Sequence, residues 1–514
     1  MSLFETITEK MFRAAGATEL RQYAAAKNGR LVGDQRNFNM SANQDVRSAI
    51  RPLRASSRAL ARDNDYFIGY LKRLEANVIG RAGLALQVDA QKKGTGEKKE
   101  DLNRKVETAW KDWCRKRNCD VTGQLSLRDN AVLALKTLAT DGEFLIRLHF
   151  DPSSIYGLKL QMLDVDWLDE DFNEEASGTT TGKGAGNRIV MSIEYDAYDK
   201  PVAYWFTDPR WSSTSVPNLR VTPASVRRLR IPADQIIHRF VKDRVGQGRG
   251  IPWTHGAMLT MNQLDGFDEA ELVGARINAS NMAFISPPAP VDPSDTQKAG
   301  LDTEVAPGQV LELPAGYTVH EFSPNKPQDG SFSTRMLRKI ATSLGVSYST
   351  LTSDLTQVNF SSIRAGTIEE REVWKLLHTW FAEHFYQDIY EKWLMFNAEK
   401  LIPASALDQV MYPIWRGRGF EWVDPLKDVT ASAMAVDRGF ETLTDVLGER
   451  GKDFEETVDQ IAYERAYLES KNVTLGDVVS MQEAQAQIAA DQAEAAAQHD
   501  AQNAQNKDKA TKKK

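Results

Sequence analysis

The sequence predicts an α+β chain of several parts, and three observations carry that reading. Apolar residues recur at helical spacing over 45–79, 252–284 and 361–400. Between the first two of these, FLIRLHF, GLKLQMLDVDWL, RIVMSIEYDAY and PVAYWFTD alternate as strands. A proline-broken stretch, SPPAPVDPS, then interrupts the chain between two helical segments. With 514 residues the chain has room for roughly three domains. Its 41% hydrophobic and 26% charged residues are ordinary for a globular protein with a large core.

The first 44 residues read as an arm, with a short amphipathic helix in MSLFETITEKMFRAAGATELR and a loose segment around NGRLVGDQRNFNMSANQD. That opening lacks the long apolar core of a secretory signal. Over 45–79, Ile50, Leu53, Leu60, Phe67, Leu71 and Leu74 form an apolar stripe and leave Arg51, Arg54, Arg58 and Arg62 on a polar face. Asn77-Val78-Ile79-Gly80 stops the helix, and LALQVDA follows as a strand. The charged stretch QKKGTGEKKEDLNRK leads into a helix through Trp110 and Trp113, and another helix covers about 124–140. The strands then follow, interrupted by the Gly/Thr-rich loop NEEASGTTTGKGAGNR and extended by VRRLRIPADQIIHRFV.

Pro252 suits the first turn of a helix that carries Met258, Leu259, Met261, Leu264, Phe267, Leu272 and Ile277. After the proline break, GQVLELPAGYTVHEF reads as a hairpin with Pro314-Ala315-Gly316 at its turn. Phe332 to Leu344 forms a helix ended by Gly345. The polar, proline-free TSDLTQVNFSS precedes the long helix of 361–400, with Trp374, Leu377, Trp380, Phe381, Phe385, Ile389 and Trp393. These aromatics read as core. Smaller helices fill 403–475, and the Ala/Gln-rich end, 481–514, is a frayed helix or a disordered tail finishing in KDKATKKK.

The net charge of −7 excludes a protein that coats nucleic acid by bulk attraction and leaves room for local basic patches. Cys114 and Cys119 read as ordinary thiols, since a four-ligand zinc site lacks its other half. No apolar run reaches the roughly 18 residues of a membrane span.

No specific catalytic set is found. GTTTGKGAG (178–186) falls short of a phosphate-binding loop in its spacing and lacks a Ser or Thr after Lys183. Asp164, Asp166, Asp169, Glu170 and Asp171 read either as a two-metal nuclease site or as a solvated loop at a strand end, the second favoured. His238 reads as a structural donor or acceptor in a strand. GQGRG, with Arg249, either offers backbone N–H groups to a phosphate or is the turn that launches the next helix, the turn being favoured. Arg227, Arg228 and Arg230 lie on an alternating segment. Arg335, Arg338 and Lys339 share one helix face, as either a solvated face or a contact surface.

Taken in order, four segments resemble the portal proteins of lambda-like tailed double-stranded DNA phages. They are NVIG after the Arg-studded helix; IPADQIIHRFVKDRVGQGRGIPW; GQVLELPAGYTV with FSTRMLRKIATSLGVSYSTLTSD and NFSSIRAG; and EWVDPLKDVTASAMAVDRGFETLTDVLGERGKDFEETVDQIAYE. The Gly/Thr-rich insertion at 176–188 and the tail depart from that pattern.

The resemblance implies a portal fold: a mixed α/β wing, a two-helix stem, a small β-containing clip, a long helix behind a tunnel loop, and a helical crown. Mapped by order, 1–44 is an arm, 45–251 the first part of the wing, 252–281 the first stem helix, and 282–328 the clip. The second stem helix is then 329–347, the tunnel loop 348–362, the long helix and second part of the wing 363–430, the crown 431–480, and the tail 481–514.

The resemblance also implies a homo-oligomeric ring of about twelve copies, closed head to tail, in the virion at one capsid vertex after assembly in the host cytoplasm. Double-stranded DNA passes through its channel without regard to sequence. The implied partners are the terminase, the major capsid protein and a head–tail adaptor, with no membrane, no cofactor, no metal and no enzymatic activity. The small residues Gly274, Ala275, Ala279 and Ser280 suit close packing of neighbouring stem helices. A bore that lets DNA slide is mostly repulsive with a few basic collars. Arg335, Arg338 and Lys339 are candidates for one collar, and Gln357 and Asn359 for loop contacts to the DNA backbone, within a tunnel loop that also carries Asp354 and Ser361. The alternatives are a connector or scaffold without a DNA-lined bore, and a metal-dependent DNA-processing enzyme.

Overall fold

The computed structural model describes residues 40–90, 99–152, 154–175, 187–207, 228–279, 283–286, 318–321, 330–356, 360–403, 406–420 and 424–471. The expected arm, the Gly/Thr-rich insertion, the Pro314-Ala315-Gly316 turn and the C-terminal tail lie outside these residues. The chain divides into two units, 1–418 and 419–514.

Helix α1 (Ala42–Asp63) opens on a capping box between Ser41 and Gln44. The single helix expected over 45–79 is in fact two. Asn64 takes an extended conformation and caps α2 (Asp65–Leu74), its side chain accepting from the Phe67 N–H at 3.0 Å. The Asp-Asn-Asp run supplies side chains that bond back to the backbone and interrupt a helix. α2 continues as a π-helical segment, Glu75–Ile79, and stops at Gly80 as the sequence predicts.

Strand β1 (Ala85–Gln87), α3 (Glu100–Trp113) and α4 (Leu127–Asp141) follow. Then come β2 (Glu143–Phe150), β3 (Leu158–Leu163), β4 (Arg188–Val190), β5 (Ile193–Tyr195), β6 (Pro201–Thr207), β7 (Arg228–Pro232) and β8 (Ile236–Phe240). They form two antiparallel sheets, ordered β3-β2-β8 and β4-β5-β6-β7. Leu145, Leu163, Ile193, Tyr204, Phe206 and Ile236 contribute to a shared core that joins the sheets.

Two sequence expectations change here. RIVMSIEYDAY is a hairpin rather than one strand, because Met191 and Ser192 both take positive φ. VRRLRIPADQIIHRFV is split by a 3-10 turn at Ala233–Gln235, so its halves serve different sheets.

The second half of unit 1 contains α5 (Met258–Ala279), β9 (Ala283–Ser286), β10 (Thr318–Glu321), α6 (Ser331–Leu344), α7 (Tyr348–Thr352), α8 (Phe360–Phe381), α9 (Asp388–Asn397) and β11 (Ile414–Arg416). β10 pairs antiparallel with β9. The TVHE segment of the expected hairpin is therefore joined to Ala283–Ser286. The long helix of 361–400 is α8, a π-helical segment (Ala382–Gln387) and α9 in succession. Four of its five named aromatics are core, as read from the sequence: Trp374, Phe381, Phe385 and Trp393 are buried, while Trp380 is half-buried. Trp110 packs between Trp113, Tyr390 and Trp393 at centroid distances of 4.9, 5.3 and 5.2 Å. Both cysteines are unpaired thiols, and burial pushes Cys119 up to about 12.

At the centre of the unit lies a fully buried carboxylate. Glu143 accepts from the guanidiniums of Arg54 and Arg249, from the Gly250 N–H at 2.9 Å, and pairs with His238 Nε2 at 3.0 Å. Arg249, also fully buried, spends its remaining donors on the carbonyls of Leu168, Met191 and Val165. That rules out a phosphate contact through Arg249. GQGRG is a turn packed backbone to backbone: a side chain at Gly250 would collide with the Gly142 carbonyl.

The arginines on the polar face of α1 are mostly engaged too. Arg58 pairs with Asp141, Asp164 and Asp166, Arg51 with Glu170 and Asp171, and Arg47 with Asp171. Asp169 pairs with Arg228 at 2.9 Å. The acidic run follows the end of β3 and stays half exposed at Asp164, Asp166 and Asp171, and it supplies the counter-charge of α1. Among the described residues no three acidic, histidine or cysteine side chains are grouped to hold a metal ion.

Burial alone would raise the Glu143 carboxyl, but Arg249 and Arg54 hold it well below the usual carboxylate range. Burial lowers His238 from its ordinary 6.5 despite Glu143. Both shifts make the native state bind fewer protons than the unfolded chain. Stability is therefore full above the unfolded values and is lost as pH falls through the folded ones. Asp141, raised by burial against the pull of Arg58, works the other way.

Denaturation midpoints measured between pH 8 and 4.5 should decline from about pH 6.5 downward, and His238→Gln should flatten the upper part of that decline. Arg249→Ala leaves Glu143 short of a counter-charge and should cost about 3–5 kcal/mol in equilibrium denaturation at pH 7.5.

Candidate functional site

The residues singled out in the sequence gather around α5, α6, α7 and the start of α8. Pro252 and a 3-10 turn at Trp253–Gly256 launch α5, with Thr254 donating to Ser57 at 2.8 Å. Met261 and Leu264 are buried, and the Asn64 amide holds Asp265 at 3.1 Å. Beyond that point most of α5 is exposed. α6 returns beside it, with Phe332 packed on Phe267 at 4.6 Å.

α6 buries Leu337, Ile340, Ala341 and Leu344, and Gly345 closes it in the left-handed conformation. The opposite face presents Arg335, Arg338 and Lys339, all exposed. Arg335 lies 6.0 Å from the Phe332 ring and Arg338 5.6 Å from the Tyr348 ring. None of the three has an ion-pair partner among the described residues. Their charge is therefore available to an anion from outside, unlike that of Arg51, Arg54 and Arg58 on α1.

The segment 348–362, expected as a tunnel loop, is partly helical: Tyr348–Thr352 forms α7 and α8 begins at Phe360. Ser347 caps α7 by accepting from the Thr350 N–H at 3.1 Å. Glu370 of α8 then fastens this turn, taking the Thr350 hydroxyl at 2.7 Å, the Ser347 N–H at 3.3 Å and the Trp374 indole at 3.2 Å. Arg73 of α2 donates to the Ser353 hydroxyl at 2.7 Å.

Asp354 is engaged locally. It accepts from the Thr356 N–H at 2.9 Å, its hydroxyl at 2.7 Å and the Tyr348 hydroxyl at 3.1 Å, and the Thr356 N–H leads in lowering its pKa. Gln357 and Asn359 lie outside the described residues, and Ser361 sits in the first turn of α8. Reading the sequence missed Glu370, Arg73 and Tyr348. Only Ser347 left a trace, as a capping residue three positions before Thr350.

Comparison with known families places this geometry. The family described as "Phage portal protein, lambda family" matches residues 28–377. The chain belongs to that family. Among its relatives is a "Probable portal protein" of Halomonas phage phiHAP-1, 31% identical over 421 residues, or 79% of each chain. "Portal protein B" of Escherichia phage lambda is 23% identical over 505 residues, covering 87% of this chain and 90% of the relative. Among solved structures, the neck of a native gene transfer agent particle computed with C12 symmetry aligns over 79% of this portal chain and 93% of its own, at 14% identity and a TM-score of 0.39. The match thus spans α1 to most of α8 and includes the cationic face of α6. No described helix of this portal protein is long and apolar enough to cross a membrane.

Because the three cations of α6 make no ion pair among the described residues, reversing all of them to Glu should leave stability within about 0.5 kcal/mol of wild type. Thermal melts and far-ultraviolet circular dichroism of the triple variant check this.

Proposed function

We propose that copies of this portal protein close into a ring of about twelve by a head-to-tail interface, and that the ring forms the channel for double-stranded DNA at one capsid vertex. The observation that carries this reading is the family match over 28–377, which takes in the exposed, unpaired cations of α6.

Arg335, Arg338 and Lys339 form a basic collar that meets phosphates. Gln357 and Asn359 touch the backbone of the duplex from a loop whose base is tied down at Ser353 and Asp354, with Ser361 at its far end. Such contacts go to phosphate and sugar and carry no base readout, which suits a conduit for any genome. The role is structural rather than enzymatic. The carboxylates that a metal-dependent nuclease would use, Asp164 to Asp171, are already neutralised by arginines.

In this reading the sheets and α1 to α4 belong to a wing and α5 and α6 to a stem. β9 and β10 belong to a clip, and the C-terminal helices to a crown. The terminase docks during packaging, a head–tail adaptor afterwards, and the major capsid protein surrounds the ring. Assembly takes place in the host cytoplasm and the product resides in the virion.

Mass measurement and negative-stain imaging of the purified chain should give rings with an axial hole wide enough for duplex DNA. Solid particles, or a monomer at every salt and concentration, overturn the reading. Gln357→Ala with Asn359→Ala should leave ring assembly intact and lower the yield of packaged DNA. Failure of ring assembly in that variant would make the loop structural instead.

A further inference from the structure

Arg73 lies near the end of α2, half-buried, and the fold carries it to the base of the loop after α7. Its Nη2 donates to the Ser353 hydroxyl at 2.7 Å and its Nη1 to the Gly69 carbonyl at 3.3 Å. Both acceptors are neutral, and Arg73 has no ion-pair partner among the described residues. A guanidinium carries several N–H donors in a planar fork, so donors remain to spare. The arginines of α1 differ: Arg47, Arg51, Arg54 and Arg58 each meet a carboxylate.

Contacts run without a gap from Arg73 to the cations of α6. Ser353 adjoins Asp354, Asp354 accepts from the Tyr348 hydroxyl at 3.1 Å, and Arg338 lies 5.6 Å from the Tyr348 ring. Ser353 is exposed and precedes Gln357 in the same loop. The carboxylates nearby are committed to other groups. Asp354 is taken by Thr356 and Tyr348, and Glu370 by Ser347, Thr350 and Trp374. Glu75, just beyond Arg73, pairs with Arg128 and Lys136. Asp65, Asp265 and Asp268 act on Tyr66, two turns before Arg73 on the same helix, and none pairs with Arg73.

The bond to Ser353 is one that a phosphate displaces. A hydrogen bond between charged groups is about twice as strong as a neutral one, and a phosphate takes two guanidinium N–H groups side by side. We propose that Arg73 is a further phosphate contact for duplex DNA, held on Ser353 until a phosphate reaches the base of the loop. The inference rests on the channel reading above and adds to it a residue from a distant part of the chain.

Purified rings and a short, fluorescently labelled duplex of mixed sequence test this by anisotropy over a range of salt. Arg73→Ala should leave rings intact and weaken binding by about threefold or more. It should also make the fall of log affinity with log salt shallower by about one. Arg73→Lys, which keeps the charge, should hold the wild-type slope. Ser353→Ala supplies the deciding sign: with the competing hydroxyl gone, binding should equal or exceed that of wild type. An arginine that only props the loop makes Ser353→Ala weaken binding as Arg73→Ala does, and that result overturns the proposal. An unchanged slope in Arg73→Ala overturns it too. Should Arg73→Ala fail to assemble, Ser353→Ala decides alone, and binding below wild type sinks the proposal. Wild-type rings that bind no duplex at low salt sink the channel reading with it. If reversing Arg335, Arg338 and Lys339 abolishes binding while Arg73→Ala changes nothing, the channel reading stands and this inference falls.

Discussion

A single buried carboxylate sets the geometry of the larger unit. Glu143 gathers Arg54 from α1, His238 from β8 and Arg249 with the Gly250 N–H from the turn before α5. These groups are far apart in sequence and each has alternatives only in water. A buried charge without its partners costs several kcal/mol, so the cluster forms as a whole or not at all. It fixes where α1 lies on the sheet and where the chain leaves the sheet to begin α5. The close approach of Gly142 and Gly250 serves the same end, because any side chain there would push the turn off the carboxylate. The course of α5, and with it the placement of α6, therefore depends on a cluster that touches neither helix.

The chain uses the same residue type for two different purposes. Arginines on α1 face carboxylates of Asp164 to Asp171 and are part of the fold. Cations on α6 face solvent and are not. Helical periodicity treats both as a polar face opposite an apolar stripe. What separates them is whether another element brings carboxylates to that face, and this is a property of tertiary structure alone.

That distinction marks how much the sequence revealed. Helix boundaries set by local chemistry were legible: Gly80, Gly345 and Pro252 act where their backbone preferences require. The face of Arg335, Arg338 and Lys339 followed from spacing, and the burial of Trp374, Phe381, Phe385 and Trp393 followed from apolar content. The Glu143 cluster was not legible, because its members are 89 to 106 positions from Glu143 in the case of Arg54, His238 and Arg249. The β4–β5 turn was hidden inside an apolar run, since nothing about Met191 and Ser192 announces a positive φ. α7 was hidden in a polar stretch, as its stability comes from Glu370 on α8. The β9–β10 pairing was not legible either, because its strands are more than thirty positions apart and no local turn signal links them.

A conduit for a polyanion has to satisfy opposite demands, and the function proposed above asks the charge distribution to meet both. The chain is acidic overall, at −7, so the proposed ring would repel duplex DNA at long range. Each exposed cation that reaches a phosphate releases a counterion and adds to affinity and to its salt dependence. In the proposed collar, three such side chains per copy, confined to one short helix, give a narrow attractive zone in a repulsive surround. Spreading the same charges along the bore would add contacts at many levels at once and turn sliding into tight binding. Confining them lets the duplex trade one set of phosphates for the next with little change in energy, because the set it enters is chemically identical to the one it leaves. The arginines of α1 stand apart from such a zone, because Asp141, Asp164, Asp166, Glu170 and Asp171 pair with them inside the fold.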